Sequence, residues 1–447
     1  MAHHHQEVDV SPENVMLPPE AANVGRAALT VGLLCLGVTF LLGVLTKDAG
    51  RLQQIMHSYL TSFSFYLALT IAAIFFVLIQ HLCRSHWSVT VRRLAEYMAC
   101  NILVLFVLGA PIGWYAVASR TPAGATGHGS VERSDLVVTG GLYPWTDRAH
   151  VLEDPILKGK AGWLSVPFWA LRIAIYFGIW TFLAYFFRNK SLEQDQTGDV
   201  KASLVREIYS APALVVLAIT MTLGAFDIIM SINPHWYSTM FGVYFFAGGM
   251  CAMHATLTLT HLLLQRLGKL KGIVTVEHYH DLGKFLFGFI FFWGYIAFDQ
   301  YMLYWYGNIP EETEFYRDRQ YLSTVGPDLS DAYGPWMKVG LVLLFIHILI
   351  PFPGLISRRV KRNLATLSFW AIWVLVAHFV DMYWLVMPEY SKKIRDQAHL
   401  PFQMTDLLIF VGIGGVLVWN FLRQASGRPL AATKDPRFLQ SVTFQNF

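Results

Sequence analysis

Six ionisable side chains that lie inside long apolar stretches are the residues of this sequence best placed to do chemistry. They are three carboxylates and three imidazoles: Asp227, Asp299, Asp381, His254, His261 and His378. A charged group in hydrocarbon is costly unless it is paired, protonated or hydrated, so such residues in membrane helices commonly mark proton routes and ligand sites. Each of the six is therefore a candidate functional residue.

The depth of each group in its apolar stretch separates the acids from the histidines. A helix rises about 1.5 Å per residue, so Asp299 and Asp381 lie roughly 25 Å into their stretches. Asp227 lies still nearer to the outer end of its stretch, while His254 and His378 lie near the middle of theirs. The three acids are thus expected to share the outer third of the membrane.

A second histidine extends this set toward the other side. His261 follows His254 by two helical turns, so both point from one helical face, with Thr256, Thr258 and Thr260 between them. Acids, imidazoles and hydroxyls in this order suit a proton relay, because imidazole titrates near neutrality. The alternative is that these groups hydrogen-bond between helices and only hold the bundle together.

Two of the acids have further interpretations. Asp299 is surrounded by aromatic residues, and with Tyr295 and Tyr301 it could form a quinone pocket, although Trp and Tyr also form the ordinary interfacial belt. Asp227 is close enough to the interface to be hydrated. Arg172 lies near a span end and is expected to reach the interface with its side chain.

Resident cofactors are not expected on this chain. The four cysteines form no CxxC or CxxCH pattern, which argues against iron–sulfur clusters and attached c-type haem. A haem b would need facing histidines, and His254 with His378 is the one candidate pair at mid-depth. No metal site is expected, and three adjacent histidines, His3 to His5, are expected to do nothing specific.

The elements that must position these residues are membrane helices. The chain of 447 residues is 55% hydrophobic and 14% charged, which is typical of multi-pass membrane proteins. Its small net charge of +4 argues against nucleic-acid binding. Windows of about 20 apolar residues predict an all-α bundle of ten spans. They cover residues 25–46, 61–82, 93–114, 165–187, 207–231, 238–265, 282–307, 334–352, 364–387 and 404–423.

The loops predict how the chain is oriented. Lys and Arg are denser in the short loops after even-numbered spans, so the positive-inside rule puts both termini, 1–24 and 424–447, in the cytoplasm. The long external loop 115–164 contains Tyr143 and Trp145, which favour a docking surface. The external loop after the seventh span, 308–333, is acidic, so an external partner would meet an aromatic and acidic face.

Several long motifs resemble those of a known family. They are FDQYMLYWYGNIPEETEFYRDR (298–319), FDIIMSINPHWYSTMFGVYFFAGG (226–249), HDLGKFLFGFIFFW (280–293) and QHLCRSHWSVTVRRLAEYM (80–98). They are similar to the membrane subunits of bacterial alternative complex III, a quinol:cytochrome c oxidoreductase. Its two large membrane subunits belong to the NrfD and polysulfide-reductase membrane-anchor family, and segment 80–98 most resembles the second, smaller one.

The resemblance implies a fold and a set of partners. The family fold is a pair of four-helix bundles, here 61–231 and 232–387, with peripheral helices at 25–60 and 404–423. The implied partners are a sibling NrfD-like subunit, a multihaem cytochrome c, an iron–sulfur subunit related to molybdoenzymes, a monohaem cytochrome c, a terminal oxidase and lipids. Those subunits would carry the c-type haems and iron–sulfur clusters, in a bacterial inner membrane. Asp299 stands where related sequences commonly have Ser, and the family's quinol site is assigned to the sibling.

Three hypotheses follow. In the first, the chain is a membrane subunit that scaffolds the redox subunits of a respiratory quinol:cytochrome c oxidoreductase. The electron acceptor of that complex could also be another periplasmic protein. The chain would contribute a proton path through the six ionisable residues. In the second, the chain itself binds and oxidises quinol beside Asp299. In the third, it is an independent ion-coupled transporter, for which broken helices at mid-depth in both halves would be expected.

Overall fold

Ten long apolar helices make up most of the protein. The computed structural model describes residues 8–45, 49–118, 141–320, 334–393 and 399–446. Within these residues, ten helices are long and apolar enough to cross a membrane, so the predicted all-α membrane fold is confirmed. Outside the described residues lie His3 to His5 and two acidic residues of the external loop 308–333, Asp328 and Asp331.

The spans are numbered α1 to α10 in chain order. Their bounds are Ala21–Leu45, Gly50–Leu82, Val89–Ala118, Val166–Thr197, Lys201–Ile232, Phe241–Arg266, Val276–Gly307, Pro335–Ile356, Leu364–Ser391 and Met404–Ala425. Each coincides with a predicted span. Several continue past the apolar window by one to three turns, because a helix does not end where hydropathy falls. The largest difference is in α2, which begins about three turns before the predicted residue 61.

Two spans are interrupted. α3 is built from Val89–Ala99, Ile102–Leu108 and Ala110–Ala118. α8 contains a five-residue π-helix, Phe345–Leu349, where the Ile350 N–H donates to the Phe345 carbonyl at 2.9 Å. The Trp373 indole N–H donates to the Ile346 carbonyl at 2.7 Å and so satisfies a group in the irregular turn. π-bulges are rare and often occur at functional sites.

The central helix of the bundle is α2. It packs against α3, α5, α6, α9 and α10, and α1 and α10 pair closely with each other. The α1–α10 contact is close because glycines face each other: a Cβ on Gly32 would lie 2.8 Å from the Gly412 carbonyl oxygen. The division into two four-helix bundles stays a prediction, since α2 contacts helices of both.

The N-terminal and C-terminal segments pack together on one end of the bundle. Met16 and Pro429 form an isolated β-bridge, and the Leu430 N–H donates to the Val15 carbonyl at 2.7 Å. The Leu270 N–H, in the loop after α6, donates to the Asn14 carbonyl at 2.9 Å. The described parts of the predicted tails, 8–16 and 426–446, therefore belong to the fold. We call this end the tail face and the opposite end the loop face.

On the loop face, the predicted docking aromatics are buried within this chain. Tyr143 donates its hydroxyl hydrogen to the Ile228 carbonyl at 2.8 Å, and the Trp145 indole N–H donates to the Ser231 carbonyl at 3.1 Å. Both side chains pack against the end of α5. The expectation that they present a surface to a partner is therefore wrong; they attach the described part of the long loop to the bundle.

Candidate functional site

Three ionisable side chains meet in the interior, between α8 and α9. They are His347 from the π-helix of α8 and His378 and Asp381 from α9. All three are buried, and a ligating atom of each lies within 4.8 Å of those of the others. This is the one such group of three among the described residues. His347 escaped the sequence analysis, although as the only ionisable residue in the apolar run LVLLFIHILI it carried the same signal as the other six.

Asp381 is oriented by two donors from neighbouring helices. The Tyr244 hydroxyl on α6 donates to its Oδ1, and the Trp293 indole N–H on α7 donates to its Oδ2 at 3.1 Å. The His378 Nδ1 lies 3.7 Å from the same Oδ2. The carboxylate therefore has fixed partners on two sides and faces an imidazole on the third.

The two imidazoles of this group lack such partners. Neither ring nitrogen of His347 or of His378 has a hydrogen-bond partner among the described residues. The His347 ring packs against Trp293 with 3.7 Å between centroids, and the two imidazole centroids are 6.5 Å apart. Buried polar atoms are normally hydrogen-bonded, so four such nitrogens in one place indicate a bound water or ligand.

An apolar cavity of about 370 Å³ adjoins this group on its loop-face side. Tyr244 and Trp293, the two donors to Asp381, form part of its wall. Its other aromatic and charged lining residues are Phe298, Tyr301, Tyr316, Trp336, Trp384 and Arg319. The volume and the aromatic lining fall within the range of small-molecule sites.

Arg319 closes the cavity near the loop face. Its guanidinium lies 3.5 Å from the centre of the Phe315 ring, donates to the Leu385 carbonyl at 3.1 Å and pairs with Glu389 at 3.7 Å. Burial lowers the pKa of Arg319 to about 10, with the Glu389 carboxylate opposing that shift. The group therefore stays cationic at neutral pH and gives the cavity one positive wall.

Two further buried histidines, His254 and His261, lie on α6 toward the tail face, and together with His278 we call them the histidine row. A Cβ at Gly248 of the same helix would lie 2.8 Å from the His378 ring, but His254 comes six residues later and about 120° around the helix from Gly248. By helical rise His261 lies about 20 Å from Gly248 along the axis. Beyond it, His278 lies 3.4 Å from the Ser441 hydroxyl of the C-terminal segment.

The tautomers of His254 and His261 follow from their hydrogen bonds. The Nδ1 of His254 donates to the Met250 carbonyl and that of His261 to the Leu257 carbonyl, both at 2.8 Å. In the neutral ring, Nε2 is then a bare acceptor, and it has no partner among the described residues in either case. Both rings can therefore accept a proton. The His254 ring is stacked on Phe285 and Phe289, and no contact joins it to His378, the partner considered for a haem.

Asp299 lies apart from the interior group. It is half-buried on the outward side of α7, one turn after the exposed Tyr295, whereas Trp293 of the same helix faces Asp381. Of the two tyrosines considered with it, Tyr301 lines the cavity and Tyr295 is 56% exposed. Of the three residues considered for a quinone pocket, Tyr301 alone lines the cavity, which lies on the side of α7 where Trp293 donates to Asp381.

Asp227 forms a separate buried ion pair. The Arg172 Nε and Nη2 atoms donate to its two carboxylate oxygens, each at 2.7 Å, and the Tyr176 hydroxyl and Trp163 indole donate at 3.1 and 3.2 Å. The expectations of a hydrated Asp227 and of an Arg172 that reaches the interface are therefore wrong. Each residue is the counter-ion of the other, and neither contacts the histidine row.

A network of buried charges on the tail face was missed by sequence reasoning. Arg93 pairs with Glu96 at 3.1 Å and with Asp195 at 2.6 Å, and Arg92 pairs with Asp435 of the C-terminal segment at 3.1 Å. Burial alone would raise the pKa of Asp435, but the guanidiniums of Arg92 and Arg206 and the Arg437 N–H outweigh it and lower that pKa. The loop cations counted for orientation are thus partly structural.

The fold and this interior define an all-α, multi-pass membrane protein with a buried cluster of two imidazoles and a carboxylate. No protein-family model matches the sequence, and comparison with curated proteins returns no match.

Proposed function

We propose that the chain is a membrane subunit of a respiratory quinol:cytochrome c oxidoreductase, or of one with another acceptor, and that its interior handles protons. The observation that carries the proton role is the group of His347, His378 and Asp381, which is ionisable, buried and only partly hydrogen-bonded. A packing role alone does not account for imidazoles without partners, because leaving buried polar atoms unpaired is destabilising.

The direction of the row supports a transmembrane route. The cavity and Asp381 lie toward the loop face, and His254, His261 and His278 lead to the tail face. Each of these imidazoles is buried, and His254 and His261 each have one open acceptor. Protons would pass between these groups through water, since no direct hydrogen bond joins them.

The identity of the redox partners rests on the motif resemblance. The proposal includes a sibling NrfD-like subunit and external subunits that carry c-type haems and iron–sulfur clusters, in a bacterial inner membrane with the tail face in the cytoplasm. Electron transfer would take place in those subunits.

A second candidate function is quinol binding by this chain. The observation that favours it is the aromatic cavity, whose wall residues Tyr244 and Trp293 also hold Asp381. A quinol head group there would contact Tyr244, whose hydroxyl donates to the Asp381 carboxylate, so that Asp381 could accept a proton through Tyr244. A photoreactive quinone that labels the sibling and leaves this chain unlabelled would remove this candidate.

The test compares two aspartates of the same chain in the complete, reconstituted complex. Asp381→Asn is expected to lower proton translocation by about 100-fold, the lower range for a positioned proton-transfer group. Asp299→Asn is the matched control and is expected to have no effect, because its side chain lies outside the group. Unchanged translocation in Asp381→Asn would leave only a scaffolding role.

A milder variant guards against misfolding of Asp381→Asn. Tyr244→Phe keeps the ring and the carboxylate and removes only the hydroxyl donor to Oδ1. It is expected to slow proton translocation while the complex assembles normally, as judged by co-purification of its redox subunits.

A further inference from the structure

We infer that His347, His378 and Asp381 form a binding site for one divalent transition-metal ion, with Zn²⁺ and Fe²⁺ as the best-suited ions. The inference goes beyond the proposed function and does not depend on it, because it concerns ligand atoms of this chain alone. Two imidazoles and one carboxylate are a common ligand set for these ions.

The spacing of the ligand atoms is close to what such an ion needs. Ligand atoms about 2.0–2.1 Å from a tetrahedral ion lie about 3.4 Å from each other. The His378 Nδ1 and the Asp381 Oδ2 are 3.7 Å apart, and all three residues offer atoms within 4.8 Å. Small rotations of the imidazoles are enough to close the remaining distance.

The hydrogen bonds around the group fit a ligand set that is already oriented. Tyr244 and Trp293 hold the carboxylate, as outer residues do in metal sites. Trp293 also packs against the His347 ring and so fixes its plane. The Gly248 backbone meets the His378 ring, where a side chain would displace it.

The unpaired imidazole nitrogens are the independent observation that points to a ligand. Both nitrogens of His347 and both of His378 are buried without a partner among the described residues. A neutral imidazole binds a metal through one nitrogen lone pair. An ion would therefore use one nitrogen of each ring and give two of these four buried atoms a partner.

The fourth coordination position would be supplied by water or by a ligand in the cavity. Tyr244 and Trp293 separate the group from that cavity, so a rotation of either side chain would open a path to it. A site with three protein ligands and one open position is the arrangement that catalytic sites use, whereas structural sites usually have four.

The test is the visible spectrum of Co²⁺ bound to the full chain in lipid nanodiscs, after treatment with a chelator. His3, His4 and His5 could bind Co²⁺ by themselves, so all three are changed to Ala in every sample. We expect one Co²⁺ per chain with the intense bands of a four- or five-coordinate ion. This readout needs no partner subunit and no activity.

Three variants decide the assignment. His347→Ala and His378→Ala are expected to abolish the bands, and Trp293→Phe, which removes an outer hydrogen bond, should weaken affinity about 10- to 100-fold. His254→Ala is the matched control, because it removes another buried imidazole with an unpaired nitrogen. It is expected to leave the spectrum unchanged.

Two outcomes would overturn the inference. One is that Co²⁺ gives no such bands in the chain without His3 to His5. The other is that the bands persist in His347→Ala or move with His254→Ala. If His378→Ala fails to fold, His347→Gln provides the second decisive variant. Loss of proton translocation in Asp381→Asn would not affect this result, so the two proposals fail separately.

Discussion

At the scale of single residues, the interior contains two kinds of ionisable group: an ion pair whose hydrogen bonds are complete, and imidazoles that lack hydrogen-bond partners. Asp227 and Arg172 saturate each other with two short hydrogen bonds, and two further donors complete the carboxylate. His347 and His378 have no partner for any of their ring nitrogens among the described residues. We therefore expect the Asp227–Arg172 pair to contribute to stability, and His347 and His378 to take part in function.

Breaking the Asp227–Arg172 pair is expected to be destabilising. Asp227→Asn leaves a buried guanidinium without its counter-ion, which costs about 3–5 kcal/mol. The double variant Asp227→Leu with Arg172→Met is expected to recover most of that loss, since a buried pair replaced by apolar residues is often neutral. Thermal unfolding of the purified protein measures both. Equal losses in the single and double variants would contradict this account.

Gly248 tests how tightly the group is packed. A methyl group there would lie 2.8 Å from the His378 Cε1 atom and 2.9 Å from its Nδ1. Gly248→Ala is expected to cost about 1–3 kcal/mol by overpacking and to displace the imidazole. Gly288→Ala is the matched control, because nothing lies within 4 Å of its added carbon, and it should gain up to about 1 kcal/mol from helix propensity. Unfolding midpoints of the two variants should shift in opposite directions.

The sequence predicts only part of the candidate site. It identifies six candidate residues, because an ionisable residue within an apolar run can be recognised from the sequence alone. Which of them meet was not visible, because depth along a helix does not say which way a side chain points. Asp299 and Asp381 have matching depths, yet Asp299 is on the outward side of α7 and Asp381 faces the interior.

At the scale of elements, the ten spans were predictable and their ends were not. An apolar window is a local property of the sequence, whereas the extra turns of α2 and α4 depend on neighbours far along the chain. The π-helix of α8 is a further case. No residue from Phe345 to Leu349 distinguishes it from ordinary helix, but Pro351 lacks the N–H that would bond to the His347 carbonyl, and Trp373 of α9 donates to the irregular turn.

The C-terminal segment is the element with a predicted pH dependence. The pKa of Asp435 is lowered in the folded protein, so its contribution to stability is complete above the unfolded value of about 3.9 and is lost as pH falls below it. We expect pepsin to release segment 426–446 increasingly as pH is lowered from about 4.

Asp435→Asn should release the same segment, and with little further dependence on pH. It removes the charge that Arg92 and Arg206 bind but leaves the segment's other contacts, such as the Ser441 hydroxyl to the Trp87 carbonyl at 2.8 Å. A segment cleaved equally at all these pH values in the unaltered protein would contradict the role of the carboxylate.

At the scale of the whole molecule, the described parts of both termini lie on one face, as an even number of spans requires. The positive-inside rule predicts that this face is cytoplasmic. Cys83, at the tail-face end of α2, is exposed, while Cys100 and Cys251 are buried.

A thiol-labelling experiment determines this orientation. A maleimide that cannot cross membranes is expected to label Cys83 in inverted vesicles and not in intact spheroplasts. Glu311→Cys, at an exposed position of the loop face, should show the reverse pattern when Cys83 is replaced by Ser. Labelling of Cys83 from outside would place the tail face in the periplasm.

The charge network on the tail face has a consequence for biosynthesis. Arg92 is synthesised early and has one carboxylate four residues further on, Glu96 at 3.4 Å, whereas Asp435, at 3.1 Å, follows all ten spans. The charge network can therefore be completed only after α10 has been synthesised. A chain truncated before Asp435 would keep all ten spans and leave this part of the tail face unformed.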